Sequence, residues 1–320
     1  MNPNIACTCY SITNIAPIRI LLKRLRVVAC VLFSLLLIIS DTFASTNPEN
    51  FLSSNINNTI PDNKAVQPLK HHFRQFLGPY LFLHEDRFGV KTIEDILALS
   101  LQGKMNNPPP TSLQFGYSSS AIWLRSKIEN TQSTSIETYL EIRYPPLDSI
   151  DVFLIEADRS IVSHTVLGDQ IPYYERPIES RIHIAPIKLE ANQTYQLFIR
   201  VKSQSSLSMP IYLSSPDAMY EGEHYEQIAI GMFFGLALGL FFYNLFLLFI
   251  IKDIVYLYYI IYVLGYTAFM ASLDGLLFQF WPDSIIWESR SLYMFPMICG
   301  IFLSLFCRKV LQTKSQSPNS

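Results

Sequence analysis

Between residues 120 and 202 apolar and polar side chains alternate with a period of two. Ile122, Leu124 and Ile128 alternate with Trp123, Arg125, Lys127 and Glu129. Ile136, Leu140, Ile142 and Tyr144 alternate with Glu137, Tyr139, Glu141 and Arg143. Ile182 and Ile184 alternate with Arg181 and His183, and Tyr195, Leu197, Ile199 and Val201 with Gln196, Phe198, Arg200 and Lys202. That period is the mark of a strand with one face in a core. Asp151–Glu156 is apolar on both sides and predicts a more central strand. Short strands separated by Pro, Asn, Asp and Ser turns predict an all-β antiparallel sandwich, a jelly roll, over residues 73–220. Ahead of it, Thr92 is placed to N-cap a short helix, Ile93–Leu101, with Asp95 in its first turn.

Past residue 227 the alternation gives way to long apolar runs. Ile228–Ile251 carries no charge and Lys252-Asp253 makes a turn. Ile254–Leu273 then returns to Asp274, and Ser291–Cys307 ends in Arg308-Lys309. Each is long enough to cross a bilayer, the last one barely, so residues 228–307 predict three transmembrane helices (228–251, 254–273 and 291–307). At the other end Arg19, Lys23, Arg24 and Arg26 precede the apolar Val27–Ser40 and then Thr42-Phe43-Ala44. This is the layout of a signal peptide over residues 1–44, cut after Ala44, with an uncleaved anchor as the alternative. Residues 45–72, rich in Asn, Ser and Pro, predict a flexible linker. Export puts the sandwich in the periplasm of a bacterial inner-membrane protein. The positive-inside rule then puts the tail, 308–320, in the cytoplasm, and Trp281 and Trp287 suit the outer interface.

The first span carries Gly231, Gly235 and Gly239 at four-residue spacing, a stripe suited to close helix packing. Asn244 falls on the opposite side and needs a hydrogen-bond partner. Half of the 320 residues are hydrophobic and 16% are charged, which fits a chain partly in lipid. A net charge of -2 supplies no basic field for nucleic acid. The five cysteines, Cys7, Cys9, Cys30, Cys299 and Cys307, lie outside the sandwich, so no disulfide or cysteine-zinc site supports it. There is no phosphate loop, nucleophile elbow or His-x-x-x-His pair, so neither an enzyme nor a cofactor is expected. His71-His72, Glu85-Asp86 and Glu221/Glu223 are taken as solvated surface.

The polar face of the strands suggests one binding chemistry. Trp123, Tyr139 and Phe198 interleave there with Arg125, Arg143, Arg181, Arg200 and His183. Aromatic faces stack on sugar rings, and guanidinium forks hold hydroxyls or carboxylates. If these strands are neighbours, that face holds a carbohydrate or an organic anion; the alternative is a solvated sheet face.

Certain stretches resemble a known family. Phe115-Gly116-Tyr117-Ser118-Ser119-Ser120-Ala121-Ile122-Trp123-Leu124-Arg125, with Asn130, is similar to the periplasmic input domain of bacterial seven-transmembrane receptors with diverse intracellular signalling modules. So are Tyr144-Pro145-Pro146-Leu147-Asp148, Arg176-Pro177-Ile178 and Leu213-Ser214-Ser215-Pro216. In the membrane part the similar segments are Gly239 with Tyr243-Asn244-Leu245-Phe246, Asp253 with Tyr256-Leu257-Tyr258-Tyr259, Gly275 and Phe280-Trp281-Pro282. The resemblance runs from about Gly78 to Gln312. It implies a jelly roll that binds carbohydrate-like ligands, seven helices, and a cytoplasmic output such as a diguanylate cyclase or histidine kinase. This sequence ends at Ser320 after its third span, so a truncated receptor input module is expected. Its partners would be a small periplasmic ligand, membrane lipid, and a cytoplasmic signalling partner or a second copy. A tethered binding protein without signalling, or a remnant without a role, are the alternatives. On the aromatic-face reading, alanine at both Trp123 and Arg125 abolishes the response to ligand and leaves folding intact.

Overall fold

A computed structural model describes residues 65–68, 72–105, 113–280 and 285–311, the side chains of 285–289 excepted. The signal peptide, most of the linker, Trp281, the side chain of Trp287 and the tail beyond residue 311 lie outside what is described.

The strands are β1 (Arg74–Phe76), β2 (Phe82–Asp86), β3 (Gln114–Tyr117), β4 (Ala121–Glu129), β5 (Ile136–Ile142), β6 (Ser149–Glu156), β7 (Ile161–Leu167), β8 (His183–Leu189), β9 (Thr194–Lys202), β10 (Ser206–Ser208) and β11 (Ile211–Ser214). Helix α1 (Ile93–Leu101) follows β2. Helices α2 (Pro216–Ile251), α3 (Ile254–Leu273), α4 (Leu276–Phe280) and α5 (Ile285–Val310) follow β11.

One sheet has the order β1-β11-β5-β8 and the other β2-β4-β9-β6-β7, with β10 and β3 as a separate ribbon. All named pairings are antiparallel. Pairing is nested: β1 with β11, β4 with β9, β5 with β8 and β6 with β7. That is the expected jelly roll. The period-two apolar positions of β4, β5 and β9 face inward, so Ile122, Leu124, Ile128, Leu140, Ile142, Leu197, Ile199 and Val201 share one core. At the start of β8 the faces are reversed: Ile182 and Ile184 face outward and His183, opposite Ile142, faces in. Asp151–Glu156 falls within β6, an interior strand between β9 and β7.

Val66, within the stretch expected to be linker, is fully buried in this core and bridges Ile128, so the sandwich begins before residue 73.

The outward faces differ from expectation. Thr92 caps α1 in a capping box with Asp95, as the sequence predicts. The helix then lies on the five-stranded sheet, and Ile93, Ile96 and Met105 bury Trp123, Phe153, Ile155 and Phe198 in a second core. Trp123 is 1% exposed.

Helix α2 continues directly from β11. Ser215 is its N-cap, accepting from Ala218 N, and Pro216 sits in the first turn. At 1.5 Å per residue its 36 residues reach about 54 Å, well over the roughly 30 Å of a bilayer core. Its first three turns lie beside the sandwich, where Met219 packs on Ile182 and Ile184. Among the described residues, three helices are long and apolar enough to cross a membrane: Pro216–Ile251, Ile254–Leu273 and Arg290–Val310. α3 and α5 approach closely at Gly265, where an added Cβ would sit 3.1 Å from Cys299 Sγ. Ser272 and Ser291 share a 2.6 Å hydrogen bond at their outer ends.

Because Trp123 is core, Trp123→Ala is expected to destabilise the sandwich by about 3–5 kcal/mol. The check is the denaturation midpoint of the detergent-solubilised chain; unchanged stability would restore Trp123 as a surface residue.

Candidate functional site at the sandwich–helix junction

The aromatic and basic residues expected to form one binding face lie on two sheets. Trp123, Arg125 and Arg200 belong to the five-stranded sheet, while Tyr139 and His183 belong to the four-stranded one, with Arg143 just after β5 and Arg181 just before β8. Arg125 donates to Ser100 Oγ of α1 at 2.7 Å and stacks over Phe82. Arg200 pairs with Asp151 at 3.1 Å and donates to Gly89 O. Tyr139 packs with Ile182, Ile184 and Met219 under the base of α2. His183 is wholly buried; burial, then the Arg176 charge, pushes its pKa down to about 3, and Nε2 meets Pro145 O at 2.9 Å. A neutral buried ring is a structural hydrogen-bonding group. Period two shows that a strand has two faces but not what covers them: helices cover the outer face of each sheet, and His183, opposite Ile142, faces the interior instead.

Arg143 and Arg181 instead form a latch. Glu141 on β5 has no exposed side-chain surface. It accepts from Arg74 at 3.1 Å, from Arg143, and from the Ser214 hydroxyl. Arg143 and Arg181 both reach Glu223, at 3.4 and 3.3 Å, and both pair with Glu226 on the outer part of α2. Three guanidinium groups thus meet three carboxylates between β5 and α2. Desolvation opposes the Arg143 charge, but Glu226, Glu141 and Glu223 outweigh it and raise its pKa. Glu223, expected on the surface, is part of this buried network.

A second contact joins the sandwich to the far end of α3. Gly275 has φ +72, and an added Cβ would sit 2.6 Å from Arg181 O and 3.0 Å from the Pro145 ring. Only glycine permits that approach. Beside it Phe278 stacks under Arg176 at 4.5 Å and edge-on to Tyr173 at 6.2 Å.

Beside these contacts lie two adjoining pockets, an inner and an outer chamber, that share Asp148, Gln170 and Gln204. The inner chamber, about 150 Å³, has Pro146, Asp148, Asp169 and Gln204 on one side and Ser272, Leu292 and Tyr293 from α3 and α5 on the other. The outer chamber, about 560 Å³, adds Tyr117, Ser118 and Lys202. Gln204 N donates to Asp148 Oδ2 at 2.7 Å, and Gln170 Nε2 to Asp169 Oδ1 at 3.1 Å. Burial, then the nearby Asp148 charge, raises the Asp169 pKa to about 6. None of the cavity residues was singled out from composition or period. Tyr117-Ser118-Ser119 and Pro146-Leu147-Asp148 did lie in the stretches that carry the family resemblance.

In the first span, an added Cβ on Gly231, Gly235 or Gly239 would meet nothing within 4 Å among the described residues. Asn244 is buried and donates to Leu240 O, four residues back in its own helix. Among the described residues, no group of three or more His, Cys, Asp or Glu could hold a metal ion.

Two family models match the chain: 7TMR-DISM extracellular 2 over residues 78–215, and 7TM diverse intracellular signalling over residues 226–319. No curated protein matches. Among solved structures, the isomalto-dextranase of Arthrobacter globiformis T6 complexed with panose is 15% identical, covering 32% of this chain and 17% of its own, with TM-score 0.20. The epithelial adhesin 9 A domain of Candida glabrata with Galb1-3GlcNAc is 11% identical, covering 36% and 51%, at 0.21. CsCBM6-3 of Clostridium stercorarium with cellobiose is 5% identical, covering 48% and 98%, at 0.24. This chain thus spans about a sixth and about half of the first two.

Two outcomes follow from the geometry. Arg143→Met leaves Glu141 and Glu226 short of a buried counter-charge and is expected to cost about 3 kcal/mol, measured by chemical denaturation. Arg143→Lys should recover only part, because one ammonium cannot fork between two carboxylates. Asp169 has a folded pKa above its unfolded value, so its ionisation destabilises the fold. That penalty is full above about pH 6 and relieved as pH falls towards 4. Asp169→Asn should therefore raise the melting temperature at pH 7 and lose the advantage near pH 4; a pH-independent difference would count against the buried acid.

Proposed function

We propose that this chain, which belongs to the 7TMR-DISM family of membrane signalling receptors, is an input module that binds a small solute in the cavity beneath its sandwich and passes the event to its helices. Under this reading the sandwich is periplasmic, the helices cross a bacterial inner membrane, and the output lies on a cytoplasmic segment or partner. One observation supports it above the others: the inner chamber is walled by sandwich loops on one side and by Ser272, Leu292 and Tyr293 on the other. A solute held there touches the helices directly, so its affinity depends on how they are packed, and binding shifts their equilibrium.

The lining favours a neutral, polyhydroxylated ligand such as a carbohydrate. Gln170, Gln204 and Ser118 supply paired donors and acceptors, Asp148 accepts hydroxyls, and the exposed Tyr117 ring offers a face for C–H stacking. Two carboxylates against one lysine disfavour an organic anion. The combined volume falls in the range of small-ligand sites.

The latch supplies the second part of the path. β5 and α2 are held by Arg143 and Arg181 to Glu223 and Glu226, so displacement of the sandwich moves the top of α2. A tethered binding protein without signalling would need no such contact.

The test uses the chain in nanodiscs, its native cysteines replaced by alanine and Ser272→Cys introduced. Sugars that raise the melting temperature are expected to slow thiol modification at position 272. The double variant Gln170→Ala/Gln204→Ala should lose both effects. A sugar that stabilises the chain with no protection at 272, and equally in the double variant, would place binding elsewhere.

A further inference from the structure

The turn after β2 displays apolar side chains that nothing in the sandwich covers. Phe88 is 84% exposed and Val90 75%, and with Tyr117 at 77% they are the most exposed large hydrophobic residues outside the long helices. The display is rigid. Gly89, at φ +62, donates from its N–H to Asp86 O at 3.1 Å, and Lys91 N donates to Asp86 Oδ2 at 2.8 Å. Arg200 donates to Gly89 O at 3.2 Å, tying the tip to the sheet. Asp86 is itself 2% exposed, so the turn is anchored in the fold while Phe88 and Val90 project. A turn held this firmly with its largest apolar groups in water is a contact surface.

Strand register fixes which way the turn points. Asp86 pairs with Ala121, the neighbouring Ile122 with Val201, and Lys202 with Ser149, so one row crosses the end of the five-stranded sheet. Ser149 belongs to the groove whose inner chamber is floored by Ser272 and Tyr293 at the outer ends of α3 and α5. Phe88 and Val90 thus leave the sandwich at its helix-facing end, three strand spacings, about 14 Å, to the side of β6. In the proposed topology that end of the sheet faces the bilayer the helices cross. Around the apolar tip stand Arg87, with its side chain 81% exposed and a long ion pair to Glu85 at 4.0 Å, Lys91, whose Nζ meets His84 Nε2 at 3.0 Å, and Lys202. Aromatic and apolar groups ringed by cations match the glycerol and phosphate layers of a membrane with anionic lipid.

We infer that the turn Arg87–Lys91 inserts Phe88 and Val90 into the outer leaflet of the membrane that the helices cross, making a lateral third contact that sets the tilt of the sandwich. Lipid headgroups then compete with any motion that lifts the sandwich from the bilayer, and lipid charge becomes a regulator of the module.

The test places Phe88→Trp in the full chain in nanodiscs of mixed neutral and anionic phospholipid, with wild-type emission subtracted. Val162→Trp, at the opposite end of the same sheet, serves as the control. Lipids brominated near the glycerol end of their chains are expected to quench at least half of the added emission at position 88 and none at 162. Replacing the anionic lipid should lessen the quenching, as should Arg87→Ser/Lys91→Ser. Emission at 88 that is quenched by aqueous acrylamide as fully as at 162, and is indifferent to brominated lipid, would overturn the inference. Protection from acrylamide without lipid quenching would overturn it equally, by assigning the turn to a second copy or another protein.

Discussion

A carboxylate removed from water has to be neutralised where it stands, and Glu141 is removed completely. Its counter-charges are Arg74 on β1 and Arg143 at the end of its own strand, and Arg143 is shared with Glu223 and Glu226 on the outer part of α2. Such a network contributes little net stability over an apolar core, because desolvation absorbs most of the Coulombic gain. What it fixes is arrangement. With six charges that must meet, α2 has one position against β5, and the junction cannot slide without exposing an unpaired ion. The Ser215 cap and the absence of any linker between β11 and α2 impose the same restriction through the backbone.

Both outer faces of the sandwich are then occupied, by α1 on one sheet and by α2 on the other. A jelly roll so covered has only its ends and edges left for recognition. The end nearest the membrane gathers the β3–β4 turn, the entry to β6, the segment after β7 and the exit from β9. Their turns bring Ser, Gln and Asp side chains together because those residue types hold tight turns through their own hydrogen bonds. The polarity that makes the turns also makes the cavity polar.

Much of this fold was legible in the residues. Alternation located β4, β5 and β9 and the start of β8, the last with its two faces exchanged; Thr92 and Asp95 marked α1 to the residue, and the charge-free run from Ile228 marked the first span. The partners were not legible. Trp123, Phe198 and Arg125 sit on the outward side of their strands, as period two requires, yet nothing local shows that α1 folds back over them. Glu223 looked like a solvated acid because its partners, Arg143 and Arg181, are 80 and 42 residues away. Gly275 could be identified from its family-like stretch, but its reason, a carbonyl 2.6 Å from where a Cβ would be, is a fact of tertiary approach. Local chemistry writes the elements; coverage and charge pairing arise between segments far apart in sequence.

The cavity's position also bears on how strongly a ligand could act. A solute contacting only the sandwich would bind equally well whatever the helices did, and equal affinity shifts no equilibrium. Contacts to Ser272 and Tyr293 differ between helix arrangements, and Ser272 is simultaneously the partner of Ser291 in the hydrogen bond joining α3 to α5. A hydroxyl that competes for Ser272 therefore acts on the helix pair itself. Two or three such hydrogen bonds, at about 1 kcal/mol each, suffice for a shift of about thirty- to 150-fold. The latch holds α2 to the sandwich and the Gly275 contact holds the end of α3 to it, so under the proposed function α5 is the helix left to move against the other two.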